Sequence, residues 1–415
     1  MPYTAKSDTL KAQTNERKSM GTITKHPFDL KDKPGWLEIR KALSDEGRLG
    51  GSDIGSAVGD NPYKSPYALW CEMVGLYDPE DISDKEAIKQ GVMFEPAVAD
   101  RFAKESGIAV EEVPFIFTNS DAPHLFATPD RLCLDGESGL ECKTAKEIVM
   151  KKFPQGDFPQ QYFDQCCCYL KVTERKRWYI AILVYGVSFN IYMMTTVKEE
   201  ADRFNYLKKK VDGSDILTPE ESQEWKTMNW LIAAYYVDKE TLDAVELAAA
   251  NFISRVIEGR NGNMDIWPNE EIDGSESTKQ ALNLVNSRPK PDSVVTFDSA
   301  EEYGVQEDGK VFVDARGDEI CRLVGQRIEY DKTIKELEKE KLQCDNQLAA
   351  IMKDKEKFIV PGCSVTYKVR VGTERANVKV VKAYFENRGE KIPAGMITKD
   401  EDTRGIRFYV SKKKA

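Results

Sequence analysis

The sequence predicts an α/β protein with a mixed central sheet. Three observations lead there. Apolar residues recur at near-helical spacing between residues 84 and 107, at Ile88, Val92, Phe94, Val98, Phe102 and Ala103. Strand-like stretches follow at 110–118, 125–135, 138–145, 178–186 and 188–197. A further helical segment interrupts them, so the order is helices, meander, helix, hairpin, which suits helices packed on a mixed sheet.

Taken in order, PGWLEIRKAL (34–43) is a short amphipathic helix with Pro34 near its start, a position that tolerates proline. The turn SDEGRLGGSDIG leads into a second helix, and NPYKSPYALWCEMVG holds a third that closes on Gly75. The helix over 84–107 stops at Gly107. Of the strands that follow, LFATPDRLCLD and SGLECKTA are joined by a turn at Asp135-Gly136. FPQQYFDQCCCYLKVT (158–173) reads as a helix, and WYIAILVYG with SFNIYMMTTV as a strand pair joined near Gly186. From about 198 to 260 the pattern is helical. Residues 261–295 are punctuated by Gly and Pro and read as a connector. Residues 317–357 are dense in Glu, Lys and Leu and form a long helix. CSVTYKVRV and GIRFYVSKK read as terminal strands.

The chain has 415 residues, enough for two or three structural units, and is 41% hydrophobic and 31% charged. No apolar run approaches the roughly 18 residues of a membrane span. The first residues, MPYTAKSDTLKAQTNERKSMGT, lack a signal-peptide core and read as the mobile tail of a cytoplasmic protein. The nine cysteines are odd in number and include no CxxC pair, which fits reduced thiols. Cys166, Cys167 and Cys168 are adjacent, so on a helix they point about 100° apart and suit packing better than a cluster. A net charge of −10 argues against a general nucleic-acid coat. Basic residues nonetheless gather at Lys143 to Lys152, Lys171 to Arg177 and Lys208 to Lys210, as solvated faces or as one local groove.

The stretch that can carry chemistry is LFATPDRLCLDGESGLECKTAK, residues 125–146. Phosphodiester hydrolysis calls for a divalent metal held by hard oxygen ligands. Asp130 precedes a turn and Glu141 follows it, so an antiparallel pair can bring the carboxylates together. Side chains alternate along a strand, so Glu141 and Lys143 share a face while Cys142 points to the other. Lys143 can orient a water or offset developing charge, and the Cys142 carbonyl can add an oxygen ligand. An ordinary charged hairpin satisfies the same spacing. Two neighbours favour the catalytic reading. Glu95 is a carboxylate within an apolar helix face, costly there without a partner. Gln165 and Tyr169 stand at i and i+4 on one helix face.

GGSDIG…NPYKSPYALW…EMVG, QGVMFEPAVADRF, ATPDRLCLDGESGLECKTA and YFDQCCCYLKVTERKRWYIAIL, in that order from Trp36 to Val197, resemble the YqaJ-type viral recombinases. These are relatives of lambda exonuclease in the PD-(D/E)XK nuclease superfamily. The resemblance implies a restriction-endonuclease-like core with a mixed sheet flanked by helices, plus a helical and small β C-terminal extension. It implies a Mg²⁺-dependent (or Mn²⁺-dependent) 5′→3′ exonuclease on double-stranded DNA ends, leaving 3′ single strands for an annealing protein. An endonuclease of the same fold and a non-catalytic DNA-end scaffold are the alternatives. By resemblance, Asp130, Glu141 and the Cys142 carbonyl match metal ligands, and Lys143, Glu95 and Gln165 match catalytic positions. Arg40, Ser52 and Thr128 match positions that grip a 5′ phosphate, with Tyr169 as the partner of Gln165. The expected divisions are an N-terminal tail at 1–29, an exonuclease core at 30–200, a helical segment and connector at 201–295, and a C-terminal region at 296–415. A homo-oligomeric ring in a bacterial cytoplasm, of phage or prophage origin, completes the expectation.

Overall fold

The structure is a computed structural model. It describes residues 21–78, 83–153, 157–268 and 271–285, and then 303–305, 311–313, 316–353, 355–360, 363–370, 374–376, 397–399 and 403–410. The chain divides into two units, Met1–Pro289 and Lys290–Ala415.

In the first unit the elements run β1 (Ile23–Pro27), α1 (Lys33–Asp45), β2 (Leu49–Gly50), α2 (Gly51–Val58), α3 (Pro66–Val74) and α4 (Glu86–Ser106). Next come β3 (Val110–Glu112), β4 (Phe115–Asn119), β5 (Ala122–Ala127), β6 (Arg131–Cys133) and β7 (Ser138–Ala145). The short α5 (Glu147–Met150) and α6 (Gln160–Thr173) lead to β8 (Arg177–Val184) and β9 (Ser188–Thr195). The unit ends with α7 (Lys198–Asp212), α8 (Pro219–Met228), β10 (Ala233–Tyr236), α9 (Lys239–Arg260) and α10 (Glu276–Val285).

The main sheet has the order β10-β9-β8-β7-β6-β3. It is mixed, because β7 runs parallel to β8 and β10 parallel to β9, whereas the β8–β9, β6–β7 and β3–β6 pairs are antiparallel. A smaller sheet has the order β1-β4-β5-β2. The α/β expectation with a mixed central sheet therefore holds.

Alternation along the central strands sorts the core into two layers. Trp178, Ile180 and Ile182 of β8 face the layer that contains Cys166, Cys167, Cys168 and Tyr169 of α6, with Phe252 and Ile253 of α9. Tyr179 and Ala181 face the opposite layer, with Val98 and Phe102 of α4 and Phe204 of α7. The cysteine triplet is fully buried, so its role here is packing.

The small residues of GGSDIG set how closely α2 meets α6. A Cβ on Gly51 would come within 2.6 Å of the Tyr169 ring, and one on Gly55 within 2.7 Å of the Gln161 Cβ. Both contacts are shorter than side chains tolerate. These glycines hold α2 against the helix that carries Gln165 and Tyr169.

Two sequence readings need correction. The segment 198–260 is not helical throughout, because Ala233–Tyr236 is a strand paired in parallel with β9. Four residues between two helices are too few for a period to show in sequence. Residues 1–20 lie outside the described residues, but Ile23–Pro27, assigned to the tail, pair antiparallel with β4. Within 261–295, α10 docks through Thr278, whose buried hydroxyl lies 2.6 Å from that of Ser65.

In the second unit, β11 (Tyr303–Val305) and β12 (Val311–Val313) form a hairpin ahead of α11 (Arg316–Met352). The strands β13 (Lys357–Val360), β14 (Cys363–Arg370), β15 (Glu374–Ala376), β16 (Ile397–Lys399) and β17 (Thr403–Val410) follow. They form a β13-β14-β17 sheet and a β15-β16 pair. Among the described residues, no helix is long and apolar enough to cross a membrane.

Candidate active site

The site is built on the register between β6 and β7. Arg131 pairs with Leu140 and Leu132 with Gly139, so continuing the ladder by one residue sets Asp130 opposite Glu141. Asp130 Oδ2 accepts the Cys142 N–H at 2.8 Å. That bond ties the carboxylate to the strand that carries its partner. Leu140 and Cys142 turn toward the α4 layer, which leaves Glu141 and Lys143 on the face covered by α6.

On that face a closed polar network forms. Lys143 Nζ donates to Glu141 Oε1 at 2.5 Å and to Gln165 Oε1 at 3.0 Å. Gln165 Nε2 donates to Glu141 Oε1 at 2.8 Å and to the Tyr169 hydroxyl at 2.7 Å. Tyr169 in turn donates to the Thr128 carbonyl at 3.0 Å. The i, i+4 spacing on α6 is what lets Gln165 and Tyr169 reach the same point. Every donor and acceptor of the Gln165 amide is engaged except one carbonyl lone pair, so its orientation is fixed. Lys143 Nζ also lies 5.0 Å from the centre of the Tyr162 ring.

Glu95 reaches the other side of Asp130. Its Oε1 accepts from Arg131 Nη1 at 2.7 Å, and the same Nη1 donates to the Asp130 carbonyl at 2.6 Å. The carboxylate on the apolar face of α4 thus has the partner that its burial demands. Arg131 was not singled out from sequence. Its signal was an arginine at the start of an apolar strand, next to an acidic candidate. Tyr162 was missed as well, being an aromatic among the apolar residues of a helix.

The residues expected to grip a phosphate also come together. Arg40 Nη1 donates to Thr128 Oγ1 at 2.8 Å and Nη2 to Ser52 Oγ at 3.2 Å. The guanidinium is packed against the Trp36 and Phe126 rings at 4.9 and 5.1 Å. Asp53 Oδ2 lies 3.6 Å from it and competes for its charge. A rigid guanidinium flanked by two hydroxyls is a donor set suited to a phosphate. Tyr169 is bonded to the Thr128 carbonyl, so it links this cluster to Gln165 and Glu141.

The electrostatics follow from burial and proximity. Burial, then the Glu141 charge, push the Asp130 carboxyl up to about 7, against the pull of Lys143 and the Cys142 N–H. Burial and the Asp130 charge also raise Glu95, with Arg131 opposing. Burial alone would lower Lys143, but Glu141 and Asp130 outweigh it, and the ammonium is held above its ordinary range. The site therefore carries crowded carboxylates facing a firmly charged lysine.

A divalent cation fits what these residues lack. Glu141 is 2% exposed, and its Oε2 is buried without a hydrogen-bond partner. An orphaned carboxylate oxygen beside a second carboxylate held near neutrality is a hard-oxygen pair short of positive charge. Among the described residues, no three Asp, Glu, His or Cys side chains already converge as a metal cage. Asp130, Glu141 and the Cys142 carbonyl would supply a partial set, as suits an ion that keeps waters or substrate oxygens.

Comparisons with known proteins bear on the same stretch. Residues 35–176 match the YqaJ-like viral recombinase domain. The chain is 32% identical over 157 residues to the uncharacterized protein YqaJ of Bacillus subtilis (strain 168), across 37% of this chain and 47% of that protein. It thus spans about half the length of the curated relative that it matches. Among solved structures it is similar to an alkaline exonuclease, LHK-Exo, from Laribacter hongkongensis, at 16% identity and a TM-score of 0.38, over 55% of this chain and 95% of that one. The same enzyme in complex with dAMP gives 15% identity and a TM-score of 0.36, over 54% and 95%. Residues 35–176 are thus similar to the YqaJ-like viral recombinase domain, and every site residue named above falls within them.

Proposed function

We propose that this chain is a metal-dependent exonuclease that degrades linear double-stranded DNA in the 5′→3′ direction. It would leave 3′ single strands for phage-type recombination, with a PD-(D/E)XK-like core at roughly residues 30–200. The observation that carries the reading is Glu141. It is wired to Lys143 and Gln165 through one oxygen and left with the other buried and unpartnered, opposite Asp130.

Asp130, Glu141 and the Cys142 carbonyl would hold Mg²⁺, or Mn²⁺ in its place. When bound, such an ion neutralises the phosphate and makes a water acidic enough to attack at neutral pH. The chain's own residues do the rest. Lys143, held charged by Glu141 and Asp130, sets a cation beside the reacting phosphate and offsets the charge that grows on its oxygens. Gln165 fixes the Glu141 carboxylate and the Lys143 ammonium in one geometry. Glu95, anchored by Arg131, adds the second acidic group beside Asp130 and positions water there. Arg40, Ser52 and Thr128 hold the terminal 5′ phosphate, and Tyr169 couples that grip to the reacting end of the site. A homo-oligomeric ring around DNA, an annealing partner and a bacterial cytoplasmic setting belong to the same proposal.

Digestion of linear duplexes with 5′-phosphate or 5′-hydroxyl ends, with and without Mg²⁺, tests metal use, end recognition and direction together. Cutting of covalently closed circles would instead mark an endonuclease.

A further inference from the structure

None of the site residues named above lies on the long helix α11. Along it, positions spaced alternately three and four residues apart read Leu323, Arg327, Tyr330, Ile334, Leu337, Lys341, Cys344, Leu348 and Ile351. That is the a/d seam of a coiled coil, with Arg327, Ile334, Lys341 and Leu348 at a and the others at d. Most of the seam is exposed: Leu323, Tyr330, Ile334, Leu337 and Ile351 are between 49% and 65% exposed, while Leu348 is half-buried. Met352, beyond its end, is buried, so the helix is tethered there while most of its length stands in solvent. A helix draws most of its stability from a packed apolar face, so a seam of about 40 Å with most of its described residues exposed calls for a partner.

Charge decides which partner and which direction. Two parallel copies would stack Arg327 on Arg327 and Lys341 on Lys341 inside the seam, two layers of like charge. An antiparallel pair sets each a position against a d position of the other copy. With Ile334 opposite Leu337, the remaining layers become Tyr330 with Lys341, Arg327 with Cys344 and Leu323 with Leu348. No layer then holds two charges. Each basic seam residue also comes beside an acidic e position of the other copy, Arg327 beside Asp345 and Lys341 beside Asp331. Each layer occurs twice, because an antiparallel pair of identical helices is related by a twofold through the Ile334–Leu337 centre. The match of basic a positions with acidic e positions on the reversed helix points to a second copy of the same chain.

We propose that α11 joins two copies of this protein through an antiparallel coiled coil centred between Ile334 and Leu337. This pairing stands apart from the nuclease reading, and its test does not depend on activity.

The test is the molar mass of the full-length chain by light scattering, with site-directed disulfides to read direction. Ile334→Lys/Leu337→Lys should reduce the mass twofold, because it puts charge on an exposed face and removes the central layers. A mass unchanged in that variant would overturn the proposal. Under mild oxidation, Arg327→Cys should give a covalent dimer through Cys344, and Arg327→Cys/Cys344→Ser should not. A wild-type dimer linked through Cys344 to Cys344 would mean parallel helices and overturn the assigned direction. So would the absence of any Arg327→Cys cross-link at unchanged mass.

Discussion

Replacing Lys143 by methionine probes the candidate site most sharply. Lys143 is the only charged donor on Glu141 given by the hydrogen bonds among the described residues, at 2.5 Å, and the glutamate side chain is 3% exposed. At an effective dielectric constant of about 20, two charges at that separation attract by about 7 kcal/mol before desolvation is counted. Breaking such a pair while leaving one buried charge costs roughly 3–5 kcal/mol of stability. Lys143→Met should therefore lower the unfolding free energy by about that amount in metal-free buffer, measured by urea denaturation. Adding Glu141→Gln should restore much of it, because the stranded charge is then gone. Mg²⁺ should stabilise Lys143→Met as well, since a cation on Glu141 stands in for the lost ammonium. Digestion of linear DNA should be abolished in both variants. Unchanged stability in Lys143→Met, or digestion that persists in it, would refute the network as described.

Other perturbations read different parts of the account. Asp130 is held up at about 7, so its proton competes with a metal, and Mg²⁺ stabilisation should grow as pH rises through 7. Thermal unfolding with and without Mg²⁺ at pH 6 and pH 8 reads this; a hundredfold excess over Kd adds about 2.7 kcal/mol, and Asp130→Asn should lose it. Arg40→Ala should erase the preference for 5′-phosphorylated over 5′-hydroxyl ends, a loss on the order of tenfold to a hundredfold for one or two charge-assisted hydrogen bonds. Competing digestion of the two substrates reads it, and an unchanged preference would remove Arg40 from the end site. Asp164 is buried at the start of α6, where burial is the chief cause that raises its carboxyl to about 7, with the Asp60 charge adding to it. A carboxyl raised from its ordinary 3.8 to about 7 stabilises the fold while protonated in both states, and that contribution is lost between about pH 4 and 7 and is constant above. Asp164→Asn should therefore gain stability relative to wild type between about pH 4 and 7 and keep a constant difference above that, read from melting temperatures across the range.

Much of this arrangement was legible in the sequence because it rests on short-range rules. The alternation of SGLECKTA separates Glu141 and Lys143 from Cys142, and the turn at Asp135-Gly136 fixes the pairing that returns Asp130. The four-residue spacing from Gln165 to Tyr169 sets both on one helical face. What escaped depends on contacts between distant segments. Arg131 stands beside Asp130 in sequence, but its value comes from Glu95, 36 residues away on another element. β1 was missed because ITKHP carries little apolar signal, and its strand exists only through pairing with β4. β10 is four residues long between helices, below the length at which a period can be read. The glycines of GGSDIG showed a turn in sequence, whereas their close approach to α6 needed the fold.

The central claim is that Asp130, Glu141 and Lys143 form a metal-dependent end-directed nuclease site. The most direct measurement follows a 5′-phosphorylated linear duplex, labelled at either end, beside a covalently closed circle of the same sequence. With Mg²⁺, the linear duplex should lose nucleotides progressively from its 5′ ends, the circle should stay intact, and chelation or Lys143→Met should stop the reaction. Degradation that continues in chelator, or equal loss of the closed circle, would contradict the account.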